Sequence, residues 1–262
     1  MEYSLMVIAY EYWPALLVIF FAGFLIRKRG SQQRDQQVAR TTDAARQSGM
    51  NYVPPAGQEL NEGVLQGTHH FSGTTRGVAW TADVTHLSAE ADDGMSTRGV
   101  SSIRYTRWNA PGAGTGGGEL MLMTLPDGVR PQPAQTPSAG FFGGLAAKAA
   151  WVASQVFIRA HFGNARAAAL SLAPAHHRPL PEDAFGLAFT AFATRPELLD
   201  RLSPAARDWM LKGRDGRAAM LWDAQGLALT WPTARVKPDE VAALAEFGVV
   251  LAGLLVERPV EP

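Results

Sequence analysis

"GVAWTADVTHL", residues 77–87, alternates with a period of two: Val78, Trp80, Ala82 and Val84 fall on one side of an extended chain, Thr81, Asp83 and Thr85 on the other. Apolar residues at every second position specify a strand with one buried face and one polar face. "SIRYTRW" (102–108) and "ELMLMTL" (119–125) continue the pattern, joined by polar or glycine-rich connections. Three such segments in succession predict an antiparallel meander. Loops of a meander emerge at alternate ends, so residues 88–101 and 109–118 are not expected to line one site.

Downstream, "PDGVRPQPAQTPSAG" (126–140) holds four prolines and marks a surface crossing or a subdomain boundary. In "FFGGLAAKAAWVASQVFIRAHFG" (141–163), Phe142, Leu145, Ala149, Val152 and Val156 recur at spacings of three and four, with Lys148, Gln155 and Arg159 opposite, which is the pattern of an amphipathic helix. Three placements are open to it. The apolar stripe packs on the sheet; or the helix lies on the inner leaflet, with Phe142 and Trp151 in the interface and Lys148 and Arg159 toward the headgroups; or it crosses the bilayer, against which Gly143, Gly144 and Lys148 argue.

The last third predicts a strand at "FGLAFTAFAT" (185–194), two helices at "TRPELLDRL" and "SPAARDWMLK", a hairpin in "AAMLWDAQGLALTW" and a closing helix in "KPDEVAALAEFGVVLAGLLVE". Ser203 is the expected N-cap of the second helix, with Pro204 at its first position. Asp223-Ala224-Gln225-Gly226 is the hairpin turn. Val241, Leu244, Gly248, Leu251 and Leu255 line one face of the closing helix, widened by Phe247 and Leu254, so this helix should cover a sheet.

Upstream, Leu5 to Ile26 is a run of 22 residues with Glu11 as its one charge. As a helix it is about 33 Å long, close to the hydrocarbon thickness of a bilayer. No Lys or Arg precedes Arg27, and the run ends in Arg27-Lys28-Arg29, so it reads as a retained anchor rather than a cleaved signal. Phe20 and Phe21 lie in its apolar centre. Tyr10, Tyr12 and Trp13 surround Glu11 and favour the headgroup level, which places Glu11 at the outer interface rather than in a proton or cation relay. Pro14 then falls in the first turn of a span from Tyr12 to Ile26. Residues 27–46 carry six basic side chains against two acidic ones, so the N-terminus is expected outside and the body in the cytosol.

The expected organisation is an anchor over 1–30, a polar juxtamembrane helix or linker over 31–59, and a cytosolic domain over 60–262, with 126–140 as the candidate point of subdivision. The fold class is α+β: an N-terminal transmembrane helix, then an antiparallel β-meander, then helices and a C-terminal strand-helix-helix-hairpin-helix unit. Lys plus Arg and Asp plus Glu both number 24, so no basic field exists to recruit nucleic acid. The chain has no cysteine, which removes thiol catalysis, thiolate metal sites and disulfides together.

The layout of a hydrophobic anchor, a basic stretch, a β-rich section around "GTTRGVAWTADV", then "FTAFATRPELLDRLSPAARDWML" and the "MLWDAQGLALTW" hairpin resembles uncharacterised bacterial membrane-anchored proteins classed as domains of unknown function. The resemblance implies a bacterial inner-membrane protein and supplies no catalytic residues.

Specific chemistries find little support. Gly112, Gly114 and Gly117 have G-x-G-x-x-G spacing, but a strand follows where a dinucleotide site needs a helix N-terminus, and a hairpin loop explains them better. His69-His70 and His176-His177 are doublets whose side chains diverge, so a metal would have to gather ligands across the fold, for example His69, His86 and Asp83. "EADDG" (90–94) lacks the order of a calcium loop, and "APAHHRPLPED" reads as a solvated loop. Trp222 and Trp231 sit on the two strands of the last hairpin and are candidates to pair across it. No cofactor is expected. The leading expectation is a single-pass, non-enzymatic protein whose cytosolic domain binds a protein partner or serves as an accessory subunit of a membrane complex. The alternative is a membrane-bound hydrolase with a dispersed His/Asp site.

Overall fold

The computed structural model describes residues 21–22, 28–56, 60–61, 64–90, 100–125, 141–166, 168–213, 219–232 and 236–256. The chain is α+β. Nine antiparallel strands form its principal sheet, built from β1 (Asn51–Val53), β4 (Gly67–Thr75), β5 (Val78–Glu90), β6 (Val100–Ala110), β7 (Leu120–Thr124), β8 (His177–Arg178), β9 (Phe189–Ala193), β10 (Ala219–Asp223) and β11 (Gly226–Pro232). A separate pair joins β2 (Leu60–Asn61) to β3 (Val64–Leu65). Six helices accompany the sheet among the described residues: α1 (residues 28–47), α2 (Phe141–Phe162), α3 (Ala184–Ala188), α4 (Glu197–Asp200), α5 (Pro204–Lys212) and α6 (Pro238–Val256).

Alternation along β5 follows the sequence from Trp80 to Val84, with Trp80, Ala82 and Val84 buried and Thr81 exposed, whereas Thr85, expected on the polar face, is buried. Pairing departs from a meander. The order is β1-β4-β5-β6-β11-β10-β7-β9-β8, so the C-terminal hairpin enters between β6 and β7 instead of following them. One rung crosses all nine strands: Tyr52, Phe71, Ala82, Trp108, Leu229, Met220, Leu122, Ala191 and Arg178 are successive partners. Phe71 through Ala191 in that rung belong to the main core. The face they line is covered by α3, α5 and α6, whose Val241, Leu244, Leu251 and Leu255 are buried as their spacing predicts. Gly248 lets α6 approach the sheet, since a Cβ there would lie 2.6 Å from the Trp108 ring.

Asn51–Val53, expected in the linker, pairs with β4, and Ala45 and Met50 join the main core, so the folded unit reaches upstream of Leu60. The segment 185–194 divides into a short helix and a strand. Asp183 accepts the Gly186 N–H at 2.9 Å and caps α3, which then hands over to β9 at Phe189. Ser203 caps α5 as predicted, accepting from the Ala206 N–H at 3.2 Å. His177, expected in a loop, lies in the edge strand β8.

Among the described residues no helix is long and apolar enough to cross a membrane, α2 included. Of the expected span only Phe21 and Ala22 are among them; Trp13, Pro14, Phe20 and Arg27 lie outside the described residues, as do the proline-rich 126–140 and most of "EADDG".

Candidate functional site

The sheet's second face is covered over β11, β10, β7 and β9 by α2 and the segment that follows it. Met121, Phe192, Ala219, Leu221 and Ala228 from the strands meet Ile158, Phe162 and Leu170 in a smaller core. The side of α2 that enters this core is not the predicted one. Ser154, Gln155, Ile158 and Phe162 are buried, whereas Ala149, Val152 and Val156 of the apolar stripe face outward. Gln155, expected in solvent, is inside because its Nε2 donates to the Leu170 carbonyl at 3.0 Å, which satisfies the buried amide.

The consequence is an apolar strip on the protein surface. Val156 is 64% exposed and Val152 48%; Trp151, though 44% exposed, lies on the Ile158 side of the helix, about 100° round from Val152. At about 100° and 1.5 Å per residue, Lys148 and Arg159 share one side of α2, about 20° apart in azimuth and about 16 Å apart along the axis. Both are exposed, and they bracket the valines lengthwise. Of Phe142 only the backbone is described, in the first turn of α2; Lys28 and Arg29 are exposed at the start of α1.

A polar centre lies under the tip of the β10–β11 hairpin. The glycine-rich run 111–119 is not a hairpin loop but an arch from β6 over that tip to β7. The Thr115 N–H donates to Asp223 O at 2.9 Å, and Trp222 Nε1 donates to Ala113 O at 2.7 Å. Gly114 is needed for the approach, because a Cβ would fall 2.8 Å from Ala224 O. Beneath the arch, Arg166 Nη1 donates to Asp223 Oδ1 at 2.6 Å and to Gly226 O at 3.0 Å, and Nη2 reaches Asn109 Oδ1 at 3.3 Å. The side chains of Arg166 and Asp223 are 8% and 4% exposed. Above the hairpin, the Arg201 guanidinium carbon sits 4.3 Å from the Trp222 ring centroid while Nη1 donates to Thr115 O at 2.7 Å; burial pushes the pKa of Arg201 down. Trp222 and Trp231 do not pair: Trp222 opposes Leu227, and Trp231 opposes Thr106 and packs edge-on against Phe247.

Beside the arch opens a cleft of about 370 Å³ lined by Gly118, Glu119, Thr194, Arg195, Asp223 and Gln225 among others. Glu119, Thr194 and Gln225 in this lining hold the chain together, while the Arg195 side chain lies against Gly117 and Gly118. Glu119 accepts from the Ala169 and Leu170 N–H groups at 3.3 and 2.5 Å, Thr194 Oγ1 accepts from Glu119 N at 2.9 Å, and Gln225 Nε2 donates to Ala165 O. Among the described residues, no histidine lines this cleft.

The histidines are dispersed. His69 is buried; its Nε2–H donates to the Leu65 carbonyl at 3.0 Å, which leaves Nδ1 to accept from the Tyr52 hydroxyl at 2.8 Å. Burial pushes the His69 pKa below 6.5 and that of Tyr52 up to about 12. His86 stands edge-on to His69 with ring centroids 6.5 Å apart. Asp83 projects from the opposite face of β5 and instead bridges His70 Nδ1 at 2.7 Å and Arg107 at 2.5 Å, its rung partners on the neighbouring strands. His69, His86 and Asp83 therefore do not converge, and among the described residues no group of three metal-ligating side chains gathers. His161 packs against Tyr105 and Phe157, with its pKa lowered by burial.

No local signal marked the outward strip, because the Leu170 carbonyl that holds Gln155 inside lies 15 residues from it. No protein-family model, curated protein or solved structure matches the chain.

Proposed function

We propose that the chain is a single-pass, non-enzymatic protein of a bacterial inner membrane, anchored by residues 1–30 with its N-terminus outside, whose cytosolic α+β domain acts by docking, as an accessory component of a membrane assembly. The observation that carries this reading is the inverted α2, which leaves Val152 and Val156 uncovered while its other side completes the core. Contiguous exposed apolar surface bracketed by charge marks a contact surface. The separation of Asp83 from His69 and His86, and a cleft that no histidine lines among the described residues, weigh against a dispersed hydrolase.

Reporters inserted after Gly49 and after Pro262 test the topology: both are expected to report cytosol, and an external signal from either refutes it. Mild-detergent extraction tests the accessory role. Recovery of the chain alone, as a monomer, would remove it.

A further inference from the structure

The surface strip on α2 has a chemistry that names what it meets. Over Phe141–Phe162 there is no Asp or Glu, and the two exposed cations, Lys148 and Arg159, stand at the ends of the strip rather than around a pocket. Among the described side chains its apolar part holds two valines and three exposed alanines (Ala149, Ala153, Ala160). An apolar ridge with cations at both ends suits the boundary between lipid headgroups and acyl chains. We infer that the outward face of α2 docks on an anionic bilayer surface, Val152 and Val156 entering the interface and Lys148 and Arg159 meeting lipid phosphates. This deepens the anchored-protein reading and rests on it. The anchor of the proposed function would keep the domain at the leaflet, so the strip need supply only part of the affinity.

The absence of cysteine makes the test direct, since V156C introduces a unique thiol at an exposed position that the fold tolerates. The full chain, carrying an environment-sensitive fluorophore at V156C or, in a second variant, at F21C, is reconstituted into vesicles of phosphatidylcholine alone or mixed with phosphatidylglycerol. Equal thermal melting of labelled and unlabelled chains confirms the fold. The label at 156 is expected to enter a quenchable apolar environment with phosphatidylglycerol, to leave it at high salt, and to do so less in phosphatidylcholine. Removing both cations in K148A/R159A is expected to lower the docked-to-undocked ratio about 30-fold, equivalent to about 1 kcal/mol for each cation. A label at 156 that stays aqueous in both vesicles while the label at 21 reports acyl chains overturns the docking and leaves the anchor standing. Aqueous signals from both positions overturn the anchor as well. Shielding of position 156 in native membranes, but not in phosphatidylglycerol vesicles, assigns the strip to a protein and overturns the lipid proposal.

Discussion

Replacing Asp223 by asparagine asks what the buried Arg166–Asp223 pair does. At 2.6 Å and an effective dielectric of about 20, the two charges attract by roughly 6 kcal/mol, which offsets much of the several kcal/mol each lost on leaving water. The pair's net contribution is therefore small, but losing one charge is costly, because the survivor keeps its desolvation penalty. The amide introduced by D223N retains an oxygen for Arg166 and the Gln225 N–H, so this variant is expected to sit at the low end of the range for a broken buried pair, about 3 kcal/mol. R166M also leaves Gly226 O and Asn109 without their donor and is expected to cost about 4 kcal/mol. D223N/R166M should cost no more than R166M alone, a coupling of about 3 kcal/mol in the double-mutant cycle. Urea unfolding of the full chain in mild detergent, followed by tryptophan fluorescence, measures all four; Trp222, next to Asp223, is a buried reporter. A D223N cost below about 1 kcal/mol, or coupling near zero, would refute the claim that these charges are desolvated and paired.

G248A is expected to cost about 1–3 kcal/mol, because its Cβ would lie 2.6 Å from the buried Trp108 ring and α6 must back off the sheet; the shift in unfolding midpoint checks it. S203A removes the acceptor for the Ala206 N–H and should cost about 1 kcal/mol in the same assay. The His69 pKa lies below 6.5 in the folded chain, so the unfolded state takes up the proton first. Stability should therefore decline as pH falls from about 6.5 and level off below the folded pKa, and H69Q should flatten part of that slope. His161 and His177 are shifted in the same direction by burial and add to that slope.

Local features were legible where local physics decides them. The period of two at 77–87, the Ser203 cap, the Asp223–Gly226 turn and the inward face of α6 are each set by residues within a turn or two of one another. Strand order was not, since pairing β6 with β11 joins residues over a hundred positions apart, and each strand's alternation fits several neighbours. The orientation of α2 failed for a different reason: periodicity identifies a stripe but not whether the fold covers it, and the Leu170 carbonyl that draws Gln155 inward is distant in sequence from the helix centre. Asp183 before Phe185 carried a cap signal for α3 that the apolar run obscured. Arg166 and Asp223, 57 positions apart, had no local mark of their pairing.

The hairpin between β6 and β7 also bears on how the chain is made. A ribosome delivers β4, β5, β6 and β7 long before Ala219–Pro232, so β6 and β7 emerge with the edges that will later hold β10 and β11 still open. Until that hairpin leaves the ribosome, the nascent domain presents two unsatisfied strand edges and an uncovered apolar face, the kind of surface that recruits chaperones or aggregates. A stop codon anywhere between β7 and residue 219 removes the middle of the sheet rather than its margin, and the product should be degraded rather than partly active.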